Sequence, residues 1–209
     1  QLMEAEATLD VKTSMLRSSN AELRHAGLCG QVVEFLGGTA VAEADLHITP
    51  VPYHTDCTPR VSALRNVLFA SLSETVSVGL LTEERERTQE PFLKRVLKQL
   101  SGDEVLHARV GWVYLGLTYG ELSPSERDDL RAYIPVALTS LQDAMHGAMP
   151  LGAEIPEEIL QDALLLGVSH SPFARVLFAA TMDEVIVPQL DQFDLGAHKA
   201  WQRLRPSAA

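Results

Sequence analysis

The chain has 209 residues, of which 46% are hydrophobic and 22% are charged, which suits one globular domain or a domain with an appendage. Its formal net charge of −11, without any run rich in lysine or arginine, argues against nucleic acid or an anionic membrane as a partner. Two cysteines form no disulfide framework, no apolar run reaches the roughly 18 residues of a spanning helix, and no signal-peptide pattern opens the chain, so we expect a cytoplasmic protein.

Helix start and stop signals divide most of the chain into helices and predict an all-α fold. Thr58 followed by Pro59 is typical of a helix start, and the stretch from Ser123 to Glu126 is a capping box. The strand-like stretch at 46–54 contains two prolines and is better interpreted as an extended loop. The expected helices cover residues 1–7, 11–36, 58–86, 91–120, 123 to a break at 149, 156–167, 171–190 and 195–204.

Two windows of the sequence, AELRHAGLCG and DEVLHARVGW, contain the pattern Glu-x-x-His followed by small or apolar residues. Residues three apart lie on the same face of a helix, so Glu22 projects beside His25. Glu104 projects beside His107 in the same way. Each window therefore presents one carboxylate and one imidazole in a common direction.

A third acidic residue, Glu74, lies on a helix face of small and apolar side chains, as Glu104 does, which indicates that both face the core. A buried carboxylate without a partner is costly and usually pairs or binds a metal. The two residues are 30 positions apart in helices joined near residues 87–91, so an antiparallel hairpin brings them to the same depth. The connection at 38–57 is long enough to bring the Glu74 helix in parallel to the Glu22 helix.

These features resemble the ferritin-like di-iron carboxylate superfamily, in which two helices of a four-helix bundle each contribute a Glu and the other two each contribute a Glu-x-x-His. The stretches LRSSNAELRHAGLC, SLSETVSVGLL and DEVLHARVGW look like a bacterial branch of that superfamily. The resemblance implies metal ligands at the matching positions, which are Glu22, His25, Glu74, Glu104 and His107. It also implies a ferritin-like bundle over residues 1–121, with residues 122–209 as a C-terminal helical extension packed on the bundle.

The superfamily's first lone Glu is not found at its expected place. It should fall about one hairpin before Glu22, which lies ahead of residue 1, so we expect that the first helix is missing from this sequence. The alternative is an incomplete site, to which Glu184 would supply a late ligand.

Two further positions bear on the support of the ligands. Asp103 precedes Glu104 and is expected to hydrogen-bond a ligand imidazole, whereas Ala21, in the corresponding place of the first pair, has no group that does so. Tyr114 lies seven residues after His107 and therefore on the same face, within reach of the metals.

A mixed set of carboxylates and imidazoles suits iron or manganese, because carboxylates are hard ligands and imidazole is borderline. The resemblance implies two iron ions as cofactors, with Mn/Fe and Mn pairs as alternatives. It favours a di-iron oxidase or oxygenase that uses O₂ to oxidise a small organic substrate, with an electron donor and a homodimer as further partners. Residues 122–209 favour an oxidase or oxygenase over an iron-storage protein, because the subunit of a storage cage needs little beyond the bundle.

Two alternatives remain open from the sequence. One is a ferritin-like protein that oxidises Fe(II) without an organic substrate. The other is a bundle whose Glu/His pairs are buried hydrogen-bond partners without metal.

A second group of metal-binding residue types occurs in the long connection, namely His47, His54, Asp56 and Cys57. A zinc site needs four ligands at regular spacing, which this group lacks, so we interpret it as a solvated loop. The chain contains no GxGxxG, P-loop, GxSxG or HExxH motif, so the nucleotide-binding, hydrolase and zinc-protease classes have no support.

Overall fold

A computed structural model describes residues 1–41, 51–148, 155–169 and 171–205 of the chain. Within these ranges the secondary structure is helical and contains no β-strand, which confirms the predicted all-α class. The helices are α1 (Leu9–Phe35), α2 (Pro59–Arg87), α3 (Pro91–Thr118), α4 (Pro124–Ala148), α5 (Glu157–Leu165), α6 (Ser171–Thr181), α7 (Val187–Asp191) and α8 (Ala197–Leu204). A 3₁₀ turn (Tyr119–Glu121) follows α3, and a π-helical turn (Met182–Ile186) joins α6 to α7.

The helix ends lie where the capping residues predict them. The Thr58 hydroxyl accepts a hydrogen bond from the Val61 N–H at 3.3 Å and caps α2. At the start of α4, the Glu126 N–H donates to the Ser123 hydroxyl at 3.3 Å and the Glu126 carboxylate accepts from the Ser123 N–H at 2.9 Å. Gly37, at φ 84°, ends α1 in a left-handed conformation that favours glycine.

The first residues of the chain differ from the prediction. Residues 1–7 were expected to be the end of a helix, but they form a single turn, in which the Ala5 N–H donates to the Gln1 carbonyl at 2.8 Å. Glu6 has a φ of 52°, and a residue in the left-handed region cannot continue a right-handed helix. Of the connection predicted at 38–57, residues 42–50 lie outside the described part of the chain.

The long helix α2 lies at the centre of the core, and its Leu64, Leu68 and Leu72 are fully buried. It pairs with α3 in a hairpin, and α4 and α6 pack against its other sides. α1 packs against α3 and runs antiparallel to it, because residues 24–25 contact Asp103 at one end while Val11 and Tyr114 line one cavity at the other. α1 and α2 are therefore parallel, as the long connection predicted. None of the described helices is long and apolar enough to cross a membrane.

Candidate metal centre

The register between α2 and α3 is set by a close approach of the two backbones. The Gly111 N–H donates a hydrogen bond to the Ser71 hydroxyl at 2.7 Å, and that hydroxyl donates to the His107 carbonyl at 3.4 Å. A Cβ atom at position 111 would lie 2.5 Å from the Ser71 oxygen and 2.7 Å from the Val67 carbonyl, so only glycine fits there. Glu74 lies one turn beyond Ser71, which places it level with the acidic residue of α3.

Three helices bring their acidic and imidazole side chains together at this level. One ligand atom from each of four residues lies within 4.8 Å of all the others, and the four are Glu22 of α1, Glu74 of α2, and Glu104 and His107 of α3. His25 of α1 joins them, with its Nδ1 atom 3.3 Å from Glu22 and 3.2 Å from Glu104. All five residues that the sequence assigned to a metal site therefore meet in one place.

Glu22 and Glu104 each span both imidazoles. The two oxygens of Glu22 lie 3.3 Å from His25 Nδ1 and 2.9 Å from His107 Nδ1. The two oxygens of Glu104 lie 3.2 Å and 2.9 Å from the same two nitrogens. The ring centroids of the two histidines are 5.7 Å apart. Two carboxylates thus lie between two nitrogen donors, so the group has two halves, one at each histidine.

The two halves differ in their remaining carboxylate. Glu74 belongs to the same compact group as His107, whereas among the described residues no lone glutamate faces the Nδ1 atom of His25. Glu184, the late ligand considered from sequence, is exposed in the π-helical turn and is not part of the group. The side chain of Glu22 is half exposed, at 51%, whereas Glu104 and both histidines are buried, so the group is open on the side of Glu22.

Asp103 supports one histidine only. Its carboxylate lies 3.1 Å from His25 Nε2, on the neighbouring helix, and 3.4 Å from the Arg24 guanidinium. Burial raises the pKa of Asp103, but the hydrogen bonds with His25 and Arg24 outweigh it and leave the pKa below its usual value. Because Asp103 then stays ionised, it accepts the Nε2 proton of His25 and leaves Nδ1 free to bind a cation. Ala21, buried in the corresponding place on α1, gives His107 no such partner.

The carboxylates repel one another. Two like charges about 4 Å apart repel by roughly 4 kcal/mol at an effective dielectric constant near 20. Burial, a hydrogen bond with Glu104 and the negative charges of Glu104 and Glu22 raise the pKa of Glu74 from 4.5 to about 7. Burial also raises the pKa of Glu104, and the charges of Glu22 and Asp103 act in the same direction. The group therefore favours a proton or a cation in its centre.

The donor set fits a pair of divalent metal ions. Three carboxylates and two imidazole Nδ1 atoms are the ligand types that iron and manganese accept. Glu22 and Glu104 each lie beside both histidines, so two ions held by these imidazoles would share the two carboxylates. Three negative charges against the four positive charges of two divalent ions leave room for one more anionic group.

Tyr114 lies away from this group. It is 3% exposed within the core, and its hydroxyl has no hydrogen-bond partner, so it does not hydrogen-bond any of the clustered side chains. It borders a small cavity with Val11 and Arg60 near the beginning of α1. Helical rise separates it from His107 by two turns, about 10 Å, which is why sharing a face did not bring it to this group.

The residues of the long connection have other partners. The His54 ring lies 3.3 Å from the Asn66 side-chain oxygen, and Asp56 pairs with buried Arg65 at 2.9 Å. Cys57 is a free thiol beside them, and His47 lies outside the described residues. The described members of this group therefore form hydrogen bonds and an ion pair instead of a metal site.

No protein-family model, curated protein or solved structure matches the chain. The resemblance to the ferritin-like superfamily therefore depends on the ligand pattern and on the placement of the ligands. The sequence did not suggest the pair between Arg24 and Asp103, which joins residues 79 positions apart on neighbouring helices.

Proposed function

We propose that this chain is a ferritin-like dinuclear metal protein that binds two iron ions, with manganese as the alternative metal, and uses O₂ to oxidise a small organic molecule. The observation that carries the proposal is the pair of spanning carboxylates, Glu22 and Glu104, each placed between the same two histidine Nδ1 atoms. A group built only for hydrogen bonding would gain nothing from three carboxylates in mutual repulsion. A dinuclear site needs them.

Each ligand has a separate part in this proposal. Glu22 and Glu104, whose carboxylates lie between the two histidines, would hold the ions together with the Nδ1 atoms of His25 and His107, and Glu74 would add a carboxylate beside His107. Asp103 holds His25 in the tautomer that presents Nδ1. When bound, a pair of ferrous ions supplies the electrons that reduce O₂. The half-exposed edge at Glu22 leaves a side on which a further ligand can approach.

Metal analysis of matched variants tests the dinuclear site. We expect about two equivalents of iron or manganese per chain in the unaltered protein, as a dinuclear site requires, and less than one in Glu104→Gln. Glu34→Gln is the control, because Glu34 is an exposed glutamate of α1 without an ion pair among the described residues, and it should retain both equivalents.

Stability measurements separate loss of ligand from loss of fold. Metal-free Glu104→Gln should be at least as stable as the unaltered chain, because the substitution removes a repelling charge, yet added Mn(II) should no longer stabilise it. Metal near zero in the unaltered protein, or equal metal in Glu104→Gln and Glu34→Gln, would contradict the proposal and favour buried hydrogen-bonded pairs.

O₂ consumption distinguishes the oxidase from a protein that only oxidises Fe(II). We expect sustained O₂ uptake when a reductant and an organic substrate are supplied to the iron-loaded protein. Uptake that stops once added Fe(II) is consumed, and that no organic compound extends, would support Fe(II) oxidation instead.

A further inference from the structure

A groove of about 520 Å³ lies between α1 and α3, directly beside the metal centre. The residues that α1 contributes lie mostly three or four positions apart and so share one side of the helix: Ser14, Arg17, Ser18, Asn20, Ala21 and Arg24. α3 contributes Asp103, Leu106, His107 and Val110. The groove thus has a basic and hydroxyl-bearing wall, an apolar wall, and one proposed metal ligand at its side.

His107 connects the groove to the metal centre. Its Nδ1 atom lies 2.9 Å from both Glu22 and Glu104, so this nitrogen faces the carboxylates. When Nδ1 binds a cation, the imidazole proton is on Nε2. Among the described residues Nε2 has no hydrogen-bond partner, because Ala21 occupies the place where a carboxylate would accept that proton. His107 therefore has a donor to offer to a ligand in the groove.

The groove carries a net positive charge in a chain whose formal charge is −11. Arg24 is paired with Asp103 at 3.4 Å, so these two charges offset each other. Arg17 forms no ion pair with any described residue, and its charge is left over. One unpaired guanidinium matches one negative charge, and its planar pair of N–H donors matches a carboxylate.

We propose that this groove binds a small monocarboxylate with an aliphatic tail, as the substrate of the metal centre, an inference that rests on the proposed function. The Arg17 guanidinium binds the carboxylate, and the His107 Nε2–H donates a hydrogen bond to it. Leu106, which is 60% exposed, and Val110 contact the tail and lose surface to it. A dianion such as phosphate would leave one charge without a partner.

Calorimetric titration with hexanoate tests the groove, with hexanamide as the uncharged probe of equal size. Both the metal-free and the Mn(II)-treated protein are titrated. We expect saturable binding of hexanoate, tighter after Mn(II) treatment because the ions offset Glu22 and Glu104, and binding of hexanamide at least tenfold weaker. Arg17→Gln should weaken hexanoate binding roughly tenfold or more, as the loss of a charge-assisted hydrogen bond requires.

Arg109→Gln is the matched control, because Arg109 is an exposed arginine of α3 that does not line the groove. It removes the same charge and should leave the affinity unchanged. Equal weakening by Arg17→Gln and Arg109→Gln, equal affinity for hexanamide, or no hexanoate binding to either form would overturn the inference. Two bound metal equivalents without hexanoate binding would refute this inference and leave the dinuclear function standing. Hexanoate binding that depends on Arg17 without metal uptake would refute the dinuclear function, and with it the role of the carboxylate as substrate, but not the carboxylate site.

Discussion

The repulsion between the clustered carboxylates should be measurable as a pH-dependent loss of stability in the metal-free protein. The folded-state pKa of Glu74 is raised from 4.5 to about 7, chiefly by burial and also by Glu104 and Glu22. Because the folded state holds this proton more tightly than the unfolded state, the stabilising contribution is fully present below pH 4.5. It is lost as the pH rises through about 7. Glu74→Gln keeps the shape of the protonated side chain and removes the titration.

The interval from 4.5 to about 7 sets the scale of the effect. At about 1.36 kcal/mol per pH unit, it corresponds to at most about 3.4 kcal/mol of unfolding free energy. Glu74 is only partly buried, so solvent screening reduces this figure, and about 1–2 kcal/mol is the expected size. At pH 8 the Gln variant should therefore be more stable than the unaltered protein by that amount, and at pH 4.5 the two should be nearly equal.

Urea denaturation of both proteins, freed of metal by chelation, at pH 4.5, 6 and 8 measures this difference. Glu34→Gln serves as the control, because it removes a charge from an exposed position outside the cluster. A constant difference between Glu74→Gln and the unaltered protein at all three pH values would refute the reasoning. So would a stability advantage of the unaltered protein that grows with pH.

Two further predictions concern the helix register and the unequal halves of the site. Gly111→Ala should lower the free energy of unfolding by about 1–3 kcal/mol and reduce metal content, because the added methyl group pushes α2 away from α3. Gly116→Ala, which has open space around it, is the control and should be neutral or stabilising. Equal effects of the two substitutions in chemical denaturation would contradict this prediction. Anaerobic titration calorimetry with Mn(II) should show two binding steps of unequal affinity, and Glu74→Gln should weaken the step of higher affinity. A single step, or a higher-affinity step that Glu74→Gln leaves unchanged, would count against the assignment of Glu74 to the His107 half.

The order of the helices and their ends could be predicted from sequence because the determinants are local. A capping residue and the proline after it specify a helix start within a few positions, as at Thr58 and Ser123. The level at which Glu74 meets Glu104 followed from counting residues on the two arms of a hairpin. The misplaced prediction at residues 1–7 has a local cause too, the left-handed conformation of Glu6, which no pattern in the sequence marks.

The partners across helices could not be predicted in the same way. The sequence suggested that Asp103 supports an imidazole but not that this imidazole is His25 of another helix, since that depends on the lateral position of α1 on α3. The same placement decides that Glu22 is half exposed. Periodicity specifies which face of a helix is apolar, and packing decides what that face meets.

The contrast between Asp103 and Ala21 explains why two identical Glu-x-x-His motifs do not produce equivalent histidines. Both imidazoles direct Nδ1 at the same two carboxylates, so their difference lies at Nε2. For His25 that atom is held by Asp103, and the ring is fixed by the protein alone. For His107 it is left without a described partner beside the groove. If Asp103 and a second carboxylate held both Nε2 atoms, neither imidazole would have a donor left for a ligand in the groove, so the alanine at position 21 agrees with the proposal that the His107 Nε2–H binds a carboxylate there.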